Sequence, residues 1–228
     1  SKIEGRYTPS MLRLIMSMLL GRKLRRPPYT LEDMAADTLG LLDALNIAQA
    51  HIVGVSMGGM IAQIIAARFP LRVLSLTSIM STSGDRKASA MELRDLRKIF
   101  LRPRPPSDAT RDQVVEHMAS TYEIIGSAEH LREVSYLRKM LSDSFDRGYY
   151  PAGFMRQTTA IVANGSRRAL LKLIKAPTLV IHGKRDILVP PGGGLDTAAH
   201  IRGARMELID DMGHDLAPGL WNTISSLI

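Results

Sequence analysis

Cysteine is missing from the 228-residue chain, which rules out disulfides, thiolate metal centres and a cysteine nucleophile. That absence suits a reducing compartment, and a cytoplasmic location is expected. Aromatic residues are scarce, 5% in all with one Trp and four Phe, so few rings are available to stack on bases. The formal charge of +8 would suit a polyanion if it were concentrated. It is instead split into short groups at Arg22 to Arg26, Arg94 to Arg104 and Arg167-Arg168, mostly beside helix-like stretches, and no nucleic-acid partner is expected. Long hydrophobic runs are lacking too. Met11 to Leu20 carries Arg13 and reaches only about half of the ~20 residues a spanning helix needs. A basic cluster follows it where a signal peptide would have small residues for cleavage, so neither a membrane span nor secretion is expected.

What is present is an ordinary globular composition, 45% hydrophobic and 23% charged, long enough for one α/β domain with a smaller insertion. Thr30-Leu31-Glu32-Asp33 reads as a helix start, and Leu31, Met34, Ala35, Thr38, Leu42 and Leu45 follow at helical spacing. Short apolar, β-rich runs at 51–55, 73–79, 178–182 and 206–209 read as buried parallel strands. Between Asp85 and Lys175 no strand is legible. Four helical stretches are predicted there, near 88–101, 111–125, 128–144 and 153–164, with a break at Pro103, Pro105 and Pro106. The expected architecture is an α/β core from residues 1–84 and 166–228, with 85–165 as an all-helical cap over the carboxyl ends of the strands.

The chemistry is concentrated at those carboxyl ends. Gly54-Val55-Ser56-Met57-Gly58 fits G-x-S-x-G between a strand and a helix, the context in which a tight turn projects a nucleophilic serine. Close packing of that turn calls for small residues two before and two after it, which Gly54 and Gly58 supply. A serine hydroxyl needs a base to take its proton and a carboxylate to orient that base. His214 follows the strand at 206–209 by a short turn and is the candidate base. Of the other histidines, His51 opens a strand at its far end, His117, His130 and His200 lie in helical stretches as surface residues, and His182 reads as a turn residue. Asp186, four residues beyond the strand at 178–182, is the candidate acid, with Asp85 as the competitor after the strand at 73–79. The chain order Ser, Asp, His is that of α/β hydrolases. No metal or organic cofactor is implied.

Three blocks together carry a family resemblance: Gly54 to Gly59, Ala176 to Asp186 with Val189-Pro190, and Met212-Gly213-His214. They resemble bacterial α/β-hydrolase carboxylesterases, and from about residue 30 onward the chain is similar to the group containing the aclacinomycin methylesterases. The resemblance implies hydrolysis of a small-molecule carboxylic ester through an acyl-enzyme, with the backbone N–H of Met57 as an oxyanion donor. Cofactor-free haloperoxidases, lactonases and carbon-carbon bond hydrolases have similar blocks. The family also carries strands ahead of the first helix and an oxyanion loop among them, whereas residues 1–50 show no strand-like run. The chain therefore looks truncated on that side. Weak turnover, a catalytically silent binding scaffold as the alternative, and self-association through an open strand edge at 51–55 are the corresponding expectations.

Overall fold

The computed structural model describes residues 27–103, 105, 106, 108–130 and 134–228. The Met11 to Leu20 run and Arg22 to Arg26 lie outside them. The four expected strands are β1 (Ala50–Val55), β2 (Val73–Ile79), β3 (Thr178–Gly183) and β4 (Arg205–Ile209). All are parallel and stand in the order β1-β2-β3-β4, so their carboxyl ends share one side of the sheet. Among the described residues nothing pairs with the outer edge of β1.

The first described helix, α1 (Leu31–Ala44), begins because Thr30 and Asp33 cap each other: the Thr30 hydroxyl accepts from Asp33 N, and the Asp33 carboxylate accepts from Thr30 N. Its inward stripe is Leu31, Ala35 and Leu39, while the expected Leu45 is exposed at the C-cap. The second helix, α2 (Met57–Arg68), is buried along nearly its whole length from Gly59 to Ala67, as its apolar sequence demands. It packs on β1 and β2, and Met60, Ile64 and Ile65 form one core with Leu31, Val73, Leu76, Leu171 and Ile201. The opposite sheet face makes a second core, in which Ile79, Ile181 and Met212 meet Leu220 and Ile224.

Residues 85–165 contain helices only, among the described residues: α3 (Leu93–Phe100), α4 (Arg111–Ile125), α5 (Val134–Gly148) and α6 (Pro151–Asn164). The largest departures from expectation fall at two of the expected helix starts. The stretch expected to be helical from 88 starts at 93, because Asp85 accepts from Lys87 N and Ala88 N and holds a separate turn. In the stretch expected to be helical from 128, residues 128–130 form a turn, because α4 ends on an extended Gly126 and the next residue is drawn into other bonds. The two ends of this helical segment are fastened together. Arg167 N donates to Ser83 O at 2.7 Å, and a Cβ on Gly84, whose φ is +80°, would meet Gly165 O at 2.1 Å. The buried Arg167 guanidinium binds Gln63 Oε1, Asn164 Oδ1 and Thr82 O across the junction, and burial pushes its pKa down to about 10. The remaining α-helices among the described residues are α7 (Arg168–Leu171), α8 (Gly192–Ala199) and α9 (Trp221–Leu227).

Candidate active site

Ser56 sits between the end of β1 and the start of α2 with φ 53° and ψ −117°, a conformation that a non-glycine residue holds only when its surroundings enforce it. The enforcement is local. Ser56 N donates to Ile79 O on the neighbouring strand, and Ser56 O accepts from Gly59 N and Met60 N of the helix. A Cβ on Gly54 would stand 2.3 Å from Gly58 O, and one on Gly59 would stand 2.6 Å from Ser81 Cβ. At Gly58 itself a Cβ would meet nothing within 4 Å. The expectation that both flanking positions must be small therefore applies at Gly54 and Gly59, while at Gly58 the backbone, not the missing side chain, is what packs. The N–H of Met57, first residue of α2, has no acceptor within its own helix.

His214 lies in the loop after β4 and is only 8% exposed. Its Nε2 is 2.9 Å from Ser56 Oγ, and its Nδ1 is 2.6 Å from Asp186 Oδ2. A carboxylate can only accept, so Nδ1 carries the proton and Nε2 presents a lone pair to the serine hydroxyl. Asp186, 2% exposed, is well supplied with donors: its Oδ1 accepts from Leu188 N and Val189 N. Burial pushes its carboxyl up, but hydrogen bonds from His182 and His214, with the charge of His214 and Val189 N, outweigh this and hold it below the usual carboxylate range. The competitor Asp85 is occupied elsewhere, in an ion pair with Arg168 Nη1 at 2.9 Å.

The loops that carry Asp186 and His214 touch through backbone. A Cβ on Gly183 would fall 2.0 Å from Met212 O, and Arg185 N donates to that same carbonyl. The histidine loop is also tied to the end of α4. His214 N donates to Ile125 O at 2.6 Å, Gly213 N donates to Ser127 Oγ at 2.9 Å, and Ser127 N and Oγ both bond to the Asp215 carboxylate. Gly126 and Gly213 are pressed together, so that a Cβ on the latter would stand 2.4 Å from Gly126 C.

Two histidines differ from expectation. His182, expected in a turn, is the fully buried penultimate residue of β3: its Nε2 donates to Val189 O at 2.8 Å and stands 3.4 Å from Asp186 Oδ2. His130, expected on a helical surface, lies in a turn, bonds to Asp211 and lines a 420 Å³ cavity with Ser56, His214, Tyr122, Leu137 and Met140. Its pairing with Asp211 depends on two loops 81 residues apart, which no local pattern announces. Among the described residues no cluster of His, Asp and Glu is arranged to hold a metal ion. Nor is any described helix long and apolar enough to cross a membrane.

A parallel sheet, a strained serine between strand and helix, and two loop-borne partners at the carboxyl ends are accompanied by a family match: the model described as alpha/beta hydrolase fold covers residues 21–217. The chain belongs to the α/β-hydrolase fold family. Among curated relatives, this α/β hydrolase is 24% identical to rhodomycin D methylesterase from Streptomyces peucetius over 217 residues, 88% of this chain and 72% of that protein. It is 28% identical to a monoacylglycerol lipase of Xenopus laevis over 181 residues, 75% of this chain and 51% of the lipase. The enol-lactonase of Burkholderia xenovorans LB400 has a similar solved structure, with a TM-score of 0.64 at 24% identity, covering 89% of this chain and 72% of the lactonase.

Proposed function

We propose that this α/β hydrolase cleaves carboxylic esters through an acyl-enzyme formed on Ser56. The observation that carries the proposal is the unbroken path from Ser56 Oγ to His214 Nε2 and from His214 Nδ1 to Asp186 Oδ2. Ser56 Oγ attacks the ester carbonyl carbon while its proton passes to His214 Nε2, and Asp186 holds the resulting imidazolium. The carbonyl oxygen becomes an oxyanion, which the N–H of Met57 is placed to receive. The imidazolium then returns the proton to the leaving alcohol oxygen. Water enters by the same route in reverse, releasing the acid and regenerating the serine. Residues 85–165 serve as the cap over this site, and residues 27–84 with 166–228 as the core that holds it. The methylesterase and lipase named above both act on esters by name, which supports an ester over an amide.

The test is labelling with a fluorophosphonate probe beside turnover on a panel of esters, lactones and amides. Wild type should label and should turn over esters fastest. Ser56→Ala should lose both while keeping its circular dichroism spectrum, with a rate loss of about 10⁴-fold or more. A folded wild-type chain that neither labels nor turns over any ester would favour the silent scaffold instead.

A further inference from the structure

His182 is wholly buried as the penultimate residue of β3, and the reaction above gives it no part. Burying an imidazole is costly unless its nitrogens are hydrogen-bonded. Its Nε2 stands 2.8 Å from Val189 O and 3.4 Å from Asp186 Oδ2. Both oxygens can only accept, so Nε2 carries the proton. Nδ1 is buried with no hydrogen-bond partner among the described residues, and a Cβ on Gly194, in the first turn of α8, would come 2.4 Å from it. An N–H at Nδ1 would be a buried donor without an acceptor. The ring therefore offers one donor in one direction.

That donor falls on the loop that carries Asp186. The Asp186 carboxylate curls residues 186–189 over itself, since its Oδ1 accepts from Leu188 N and Val189 N. Val189 then gives its carbonyl to His182, so the loop is held at its carboxylate and at its far end. Oδ2, the oxygen that meets His214 Nδ1 at 2.6 Å, is also the one 3.4 Å from His182 Nε2.

We propose that His182 is a positioning residue for the path from Ser56 through His214 to Asp186: its Nε2–H, held on Val189 O, fixes the 186–189 loop so that Asp186 Oδ2 stays on His214 Nδ1. The effect on rate rests on the hydrolase reading above; the hold on Asp186 does not. A residue that only filled space could be exchanged for any side chain of like volume, whereas this role needs an N–H at one point. Gly194 belongs to the same arrangement, because a side chain there would collide with the ring.

Three variants test this. His182→Gln sets an amide N–H near the position of Nε2, and His182→Leu fills the space without a donor. Gly194→Ala presses on the ring from α8 and leaves the side chains of Ser56, His214 and Asp186 in place. Each is compared with wild type for kcat and KM on p-nitrophenyl acetate and for the rate of fluorophosphonate labelling. Proton NMR follows the far-downfield resonance of the His214–Asp186 bond, identified by its absence in His214→Ala. The expected result for His182→Leu and Gly194→Ala is a kcat lowered about 10- to 100-fold with little change in KM, labelling slowed to the same degree, and the resonance shifted or lost. His182→Gln should recover most of the rate and the resonance. A folded His182→Leu with unchanged kcat and resonance, or a His182→Gln as impaired as His182→Leu, would overturn the proposal. If His182→Leu does not fold, unchanged rate and resonance in Gly194→Ala overturn it alone. Loss of the resonance in His182→Leu, where the wild type neither labels nor turns over the ester, would keep the positioning role and strike out the hydrolase reading.

Discussion

Replacing Ser127 by Ala probes how His214 is held. The hydroxyl is fully buried, donates to Asp215 Oδ1 at 2.5 Å and accepts from Gly213 N at 2.9 Å. Alanine is nearly the same size, so the loss is of hydrogen bonds and not of packing. The Gly213 N–H is left without an acceptor, a penalty of about 1–3 kcal/mol, and Asp215 loses one charge-assisted bond worth about as much again. Two backbone contacts from Ser127 N to Asp215 remain at 3.1 Å, so the net loss should be roughly 2–4 kcal/mol. For a domain of this size that corresponds to a fall in melting temperature of roughly 4–16 °C. The affected residues flank His214, and a displacement of the imidazole by about 1 Å costs around 10²-fold in rate. Calorimetry and ester turnover on the same preparation measure both. Ser127→Thr, which keeps the hydroxyl, should recover much of the rate. A melting temperature within about 2 °C of wild type together with an unchanged rate would show that the histidine loop is held by something other than this network.

At the elbow, Gly54→Ala should destabilise by at least about 1–3 kcal/mol and abolish fluorophosphonate labelling, whereas Gly58→Ala, with open space around its Cβ, should leave the melting temperature nearly unchanged; equal damage from both would refute the steric account. The Asp186 carboxyl is held below its usual range, so its contribution to stability is present above the ordinary carboxylate pKa and is lost as pH falls through the depressed value. Asp186→Asn should therefore lower the denaturation midpoint at neutral pH with a gap that narrows on acidification, and a pH-independent gap would refute it. The edge of β1 that no described residue pairs with, near the 48% exposed Val53, should pair with a second copy of the chain. Light scattering should show this association weakened in Val53→Lys, and a single-chain mass for wild type at high concentration would count against it.

Much of the fold was legible because its signals are local. A β-rich run, a serine and two glycines, then an apolar helix can be read within a few neighbouring residues, as can the Thr30 cap and the break at Pro103 to Pro106. Chain order and strand ends were enough to select Ser56, His214 and Asp186 as candidates, since each follows a different strand on the same side of a parallel sheet. The close approach at Gly54 was legible for the same reason. The helix start at 93 and the turn at 128–130 were not, because the turn bonded to Asp85 and the Ser127–Asp215 bonds override helical periodicity there. Tertiary structure places Asp186 beside His214 and puts Asp85 in an ion pair with Arg168, which lies 83 residues further along. It also buried His182 beside Asp186, brought His130 to the cavity, and tied the loop of His214 to a helix end 88 residues away. Such contacts depend on which loops the sheet brings together. Sequence spacing carries no record of that distance, whereas an elbow, a cap or a strand is written into the residues that form it.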